Sequence, residues 1–151
     1  KRGLASHFTD GDGLPTKRLT LMENGVLKHF FISVYNSRRL KMKATTASSS
    51  NLLIPKGSRT PLSILEDLPR AIRVEGFLGG NANPLTGDFS FGVNGTLFEK
   101  GIPVQGVSEM NISGNLFTLL PKWRESADDT WTFGSCRSPS LLFDDMQFSG
   151  T

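Results

Sequence analysis

Gly76-Phe-Leu-Gly-Gly-Asn-Ala-Asn-Pro-Leu-Thr-Gly-Asp-Phe-Ser-Phe-Gly-Val-Asn-Gly-Thr-Leu-Phe98 reads as a glycine-rich turn, a Thr86-Gly87-Asp88 corner and a strand of period two. Phe89, Phe91, Val93, Gly95 and Leu97 share one face; Ser90, Gly92, Asn94, Thr96 and Phe98 share the other. An apolar face accounts for the phenylalanines. It does not account for the glycines, which weaken a strand unless another backbone approaches closely. The segment is therefore a candidate for binding an extended chain.

Upstream, residues 1–14 are polar and glycine-broken and read as a loop or tail. Leu19 to Tyr35 reads as a β-hairpin, because Asn24-Gly25 supplies the two positive φ angles of a type I′ turn. Asn36 to Lys43 is either a short helix or a basic turn. Ala44 to Ser50 reads as a loop, and Asn51 to Ile54 as a short strand closed by Pro55. Thr60-Pro61 opens a helix, with Thr60 at the N-cap and Pro61 in the first turn. Leu62, Leu65 and Leu68 form its expected stripe, and Pro69 ends it.

Strand pattern resumes at Ile72 to Phe77, and again at Ile102 to Val107 and Glu109 to Ile112. Leu116 to Leu120 reads as a helical turn, Glu125 to Asp129 as an acidic loop, and Ser140 to Phe143 and Met146 to Phe148 as closing strands. Leu21-Met-Glu-Asn-Gly-Val26 echoes Leu97-Phe-Glu-Lys-Gly-Ile102. Hairpin turns reuse one chemistry, which explains the echo without duplication. The elements add up to an α+β, predominantly β domain. Its sheet is mixed or antiparallel, multi-stranded and barrel-like, with one principal helix.

The chain has 151 residues, a length that suits one domain or part of a larger protein. Seventeen basic and 14 acidic residues give a net charge of +3. Short pairs such as Lys17-Arg18 and Arg38-Arg39 carry much of it, a balance that argues against a nucleic-acid partner. One cysteine, Cys136, excludes an internal disulfide. No leader and no membrane-spanning apolar run is visible, so a cytoplasmic setting is the simplest expectation.

No complete catalytic motif is present. His7 and His29 lack zinc-helix spacing. Asp10-Gly-Asp12-Gly13 opens like a calcium loop but lacks the closing glutamate, so a plain turn is expected. Gly79-Gly80 has no following Lys-Ser/Thr. Cys136 stands beside Arg137, which favours a thiolate, but no histidine is near in sequence. Asp128-Asp129 and Asp144-Asp145 are neighbours that point apart on a strand, and so make poor proton-sharing dyads.

Several pieces in order resemble the C-terminal domain of the TldD/PmbA family, also called modulators of DNA gyrase. They are Phe8 to Arg18, Glu23 to Lys28, Ser33-Val-Tyr-Asn-Ser-Arg-Arg-Leu40, Thr86-Gly-Asp-Phe-Ser90, Glu99-Lys-Gly101, Val104 to Val107, Ile112 to Leu116, Pro139 to Phe143 and Phe148 to Gly150. Family members are much longer, so the resemblance implies that residues 1–151 are a C-terminal domain without its N-terminal half. It implies pairing with a related TldD/PmbA-type subunit, as a homo- or heterodimer, and work on extended peptides in intracellular cleavage or maturation.

In the family's catalytic subunit a His-Glu-x-x-x-His helix of the N-terminal half binds zinc, and a cysteine of the C-terminal domain completes the shell. Asn83 to Ser90 and Gly114-Asn-Leu116 are similar to the PmbA (TldE) partner rather than to that subunit. Cys136 lies near the position of the metal cysteine counted from Asp129. Counted from Pro139, it lacks the long glycine-rich segment that follows that cysteine in the catalytic type. The resemblance therefore assigns no catalytic or metal residue here, and zinc only to a full complex. The Thr45 to Asn51 loop also departs from the family pattern. The expected role is a non-catalytic partner in which Thr86, Gly87, Asp88, Phe89 and Ser90 shape a peptide cleft. Two alternatives stay open: a catalytic zinc-peptidase subunit with Cys136 as a ligand, and a DNA gyrase-associated regulatory protein.

Overall fold

The computed structural model describes residues 3–150. Lys1 and Arg2 of the expected 1–14 tail lie outside the described residues, as does Thr151. In chain order the elements are β1 (Met22–Glu23), β2 (Val26–Leu27), α1 (Val34–Leu40), β3 (Leu52–Leu53), α2 (Pro61–Glu66), β4 (Ala71–Ala82), β5 (Asp88–Glu99), β6 (Ile102–Asn115), α3 (Leu116–Leu119), β7 (Trp123–Ser126), β8 (Cys136–Arg137), β9 (Leu141–Phe143) and β10 (Phe148–Ser149). The fold is α+β and predominantly β, as expected. Its four-stranded sheet is open, in the order β10-β6-β5-β4, and closes into no barrel. The described residues group into two compact units: residues up to Ile54 with Trp131–Ser138, and Pro55–Thr130 with the residues from Pro139 onward.

In the first unit the Asn24-Gly25 turn forms as its chemistry dictates, with φ of 51° and 74°. Met22 pairs with Leu27 and Glu23 with Val26. The ladder then stops, although the apolar pattern continues to Tyr35. Among the described residues no strand pairs with Phe30 or Phe31, and both stay exposed, so the expected hairpin is much shorter than its sequence pattern. Ser33 caps α1 by accepting from the Asn36 N–H, and Lys41 ends the helix in the left-handed conformation. No residue of α1 is buried. Asp10 does turn-building work: its carboxylate accepts from the backbone N–H groups of Asp12, Leu14 and Ala47. β3 and β8 form a short parallel ladder in which Leu52 pairs with Cys136.

The second unit is built on the β4-β5-β6 meander. β5 lies between two long neighbours and is antiparallel to both. Its odd-numbered residues from Phe89 to Leu97 are the more buried set, as the alternation requires, and Val93 is fully buried. Phe98, on the opposite face of β5, is buried as well. The β5–β6 turn at Lys100-Gly101 has φ of 49° and 77°, the same I′ geometry as Asn24-Gly25. Shared turn chemistry is thus enough to explain the sequence echo.

β6 is one strand rather than the two expected. The break falls at Glu109, whose φ of 55° marks a bulge: Val107 pairs with Gly95 and Met110 with Val93, leaving two residues opposite Asn94.

α2 starts at its expected cap, with Thr60 Oγ1 accepting from the Ser63 N–H at 3.2 Å. The buried pair is Ile64 and Leu65, whereas Leu62 is exposed. A helix this short turns one narrow face to β5 and cannot bury a stripe three leucines long. Arg59 ties the helix down by donating to the Ser63 carbonyl, to Asp67 Oδ2 at 2.6 Å and to Glu125 Oε2 at 3.5 Å. Glu125 and Ser126, expected within the acidic loop of Glu125 to Asp129, belong instead to β7, which pairs with β9.

Candidate functional site

The glycines that first marked β5 have a local explanation. A Cβ on Gly95 would run into the Arg73 carbonyl oxygen and stand 3.1 Å from the Val74 Cα. Gly95 thus makes room for β4, at the point where the β4–β5 register shifts between Val74 and Gly76. A Cβ on Gly92 would meet only Leu78 Cβ at 3.5 Å and the Gly79 oxygen at 3.8 Å, which is ordinary contact. Neither glycine is held open for a second chain.

Thr86, Gly87, Asp88, Phe89 and Ser90 sit where the β4–β5 loop enters β5. Asn83 builds the loop: its Oδ1 accepts from the Leu85 N–H at 2.9 Å, and its carbonyl accepts from the Gly87 N–H at 2.8 Å. Gly87 needs its glycine, with a φ of 80° and the Phe117 ring 3.1 Å from where a Cβ would lie. The residue that locks the corner is Asn115, at the end of β6. Its Nδ2 donates to the Thr86 carbonyl and to Asp88 Oδ1, each at 2.8 Å. Its Oδ1 caps α3 by accepting from the Phe117 N–H at 2.9 Å.

Sequence reasoning treated Gly114-Asn-Leu116 only as a family mark and missed this role. An asparagine just before a helical turn is the signal available for it. Ser90 faces elsewhere and shares a hydrogen bond with Asn111.

The Asp88 carboxyl is held below its ordinary value of 3.8, first by the Asn115 amide and then by Thr86. A depressed folded-state value means that the stabilisation is present above 3.8 and is lost as pH falls through the lower, folded value. Asp88→Asn should therefore destabilise the protein at neutral pH, and the difference from wild type should shrink between about pH 5 and pH 2. Urea midpoints across that range check it. A gap that does not narrow on acidification would sink the account.

Phe89 and Asn115 line a cavity of about 280 Å³, together with Ser113, Gly114, Lys122 and Asp145. The Phe89 ring covers Gly114, 3.1 Å from where a Cβ would stand there, and stacks with Phe91 at a centroid distance of 6.3 Å. Lys122 Nζ, which also lines the cavity, donates to the Asp145 carbonyl at 2.9 Å. The lining thus combines an aromatic ring with a lysine and an aspartate. The main chain of Phe89 and Ser90 is paired on both sides within the sheet, and Asp88 pairs with Asn115 while its carbonyl accepts from the Asn83 N–H at 2.8 Å, so a ligand at this corner meets side chains rather than free backbone.

The other candidates resolve as structure. Asp129 accepts from the Ser140 N–H and hydroxyl. Asp144 faces Arg124 at 3.5 Å. His29 Nδ1 lies 2.8 Å from the Thr20 carbonyl. Cys136 is exposed on β8, near Trp131 and Phe133, whose rings meet edge to face. Among the described residues no three His, Cys, Asp or Glu side chains gather, so a zinc ion would find one soft ligand here and not a shell.

Comparison with known proteins places this architecture. A model of the PmbA/TldA metallopeptidase C-terminal domain matches residues 1–150. The Metalloprotease PmbA homolog of Haemophilus influenzae is 30% identical over 99% of this chain and 34% of its own length. The crystal structure of a candidate modulator of DNA gyrase from Bacteroides thetaiotaomicron superposes with a TM-score of 0.92 at 37% identity, over 99% of this chain and 34% of that one. TldE from Thermococcus kodakarensis shares the fold, with a TM-score of 0.83 at 23% identity over 95% of this chain and 36% of its own. The chain spans about a third of the length of these relatives. With a match that runs almost end to end and a meander that superposes on solved relatives, the chain belongs to the PmbA/TldA metallopeptidase C-terminal domain family.

Proposed function

We propose that this chain is the C-terminal domain of the non-catalytic, PmbA (TldE)-type subunit of a metallopeptidase complex, acting in intracellular peptide cleavage or maturation. It contributes pairing with a related subunit and one wall of a peptide cleft. The observation that carries the reading is the family match over residues 1–150, joined to a relative called a PmbA homolog over the same span.

In this reading Thr86, Gly87 and Asp88 hold the shape of the corner, Asn115 keeps it rigid, and the Phe89 ring offers an apolar surface to a substrate side chain at the cavity mouth. Ser90 borders the same strand. Backbone pairing with a substrate, the common mode for extended peptides, falls to the sheet's unpaired edges on β4 and the first half of β6. The test is peptide affinity of the full-length subunit pair. Phe89→Ala should weaken it about tenfold, the loss expected of a buried aromatic anchor. Unchanged affinity for both Phe89→Ala and Asp88→Ala would remove the cleft from this corner.

The exposure of Cys136 favours a second reading, in which its thiol completes a zinc shell supplied by the rest of a longer protein. Zinc content of the full-length protein with and without Cys136→Ser separates the two. The partner reading expects equal zinc in both, whereas loss of stoichiometric zinc in the variant would make this a catalytic subunit.

A further inference from the structure

The modest net charge of the whole chain conceals a division. The described residues of the first unit hold eight basic and three acidic side chains, whereas the second unit holds seven basic and eleven acidic. In the first unit the acids are already engaged. Asp10 accepts three backbone N–H groups, Asp12 accepts from the Val34 N–H at 2.8 Å, and Glu23 faces Lys28. Among the described residues Lys17, Arg18, Arg38, Arg39, Lys41 and Lys43 have no ion-pair partner.

α1 concentrates this excess. Tyr35 stands three and four residues before Arg38 and Arg39, so one exposed ring neighbours two exposed guanidinium groups on the helix surface. With Asp12 and Val34 these three line an open hollow of about 670 Å³. Seven-residue helices draw their stability from packing, yet none of α1's residues is buried, and Tyr35 is 71% exposed. Tyr and Arg are the residue types that dominate binding hot spots.

We infer that Tyr35, Arg38 and Arg39 form a docking surface for an acidic, extended protein segment. Arginine forks match carboxylates with two parallel hydrogen bonds, and the ring supplies apolar cover for the stems. The Asp12 carboxylate in the wall leaves a local excess of one positive charge. That suits individual side-chain carboxylates better than a continuous phosphate backbone, which needs a longer cationic track. The surface lies in the unit that does not contain Thr86 to Ser90, and the inference stands independently of the cleft.

The test uses the whole chain and three fluorescent probes: a Glu/Asp-rich peptide of about ten residues, its Gln/Asn twin and a single-stranded DNA of equal charge, followed by anisotropy. The acidic peptide should bind about tenfold tighter than its twin, the difference expected from one or two charge-assisted hydrogen bonds. Arg38→Gln with Arg39→Gln should abolish that preference with an unchanged circular dichroism spectrum. Arg39→Glu serves if the double variant does not fold. Tyr35→Ala should weaken both peptides. Arg124→Gln, in the other unit, should leave the preference intact, and because the cleft is read from Phe89→Ala in the full-length pair, failure of the cleft and failure of this surface read differently. Equal binding of the peptide twins, a preference that survives loss of both arginines, or tighter binding of the DNA overturns the inference.

Discussion

Gly95→Ala is expected to lower the free energy of unfolding by about 2–3 kcal/mol, the upper range for forcing an extra group into a filled site. The physical reason is backbone against backbone. The new methyl would be driven into the Arg73 carbonyl, and β5 cannot retreat because β6 holds its other side. Gly92→Ala, three residues away on the same strand, is the control. Its methyl has ordinary contacts, and removing a glycine from a strand interior should gain up to about 1 kcal/mol. Urea unfolding of both variants checks the pair. Equal midpoints would mean that β4 and β5 can slide apart and that close approach does not explain Gly95.

Asn115→Ala should cost about 2–3 kcal/mol, the sum of a lost helix cap and two lost hydrogen bonds to partners held far away in sequence. Asn115→Ser keeps an acceptor for the Phe117 N–H but cannot reach Thr86 and Asp88, so it should recover about 1 kcal/mol of that loss. The same substitution should raise the Asp88 carboxyl toward its ordinary value, because the amide is the chief cause of its depression. A titration of Asp88 by NMR in Asn115→Ser checks this. An unmoved Asp88 would place the cause elsewhere.

These two residues also show what the sequence made legible. Local chemistry was readable: Asn24-Gly25 and Lys100-Gly101 each close a turn within their own residues, and Thr60-Pro61 starts a helix without help from elsewhere. The alternation of β5 was readable because a strand buried on one face must repeat every second residue. The partners were not. Nothing in Gly95 says that Arg73 is the backbone it admits, and nothing in Asn115 points to Thr86. The apolar run from Leu19 to Tyr35 forecast a long hairpin, yet among the described residues no strand pairs with it beyond Leu27. Glu125 looked like part of a loop because an acidic cluster hides a strand whose register is set by Leu142. The candidate corner was found through five consecutive residues. The residue that fastens it lies at the far end of another strand.

The β3–β8 ladder carries a consequence for how the protein comes to be made. The β4-β5-β6 meander is assembled from neighbours in sequence, so its hairpins can close as soon as each strand is complete. Leu52 and Leu53 must instead wait for Cys136 and Arg137, with the whole meander synthesised between them. On the ribosome, the first unit to begin therefore cannot finish until the whole meander has been made. The late step is closure of a long loop for only two paired residues on each strand, a poor return against its entropy. Nascent chains that end before residue 136 should carry a protected meander while the segment around Leu52 remains open to proteases.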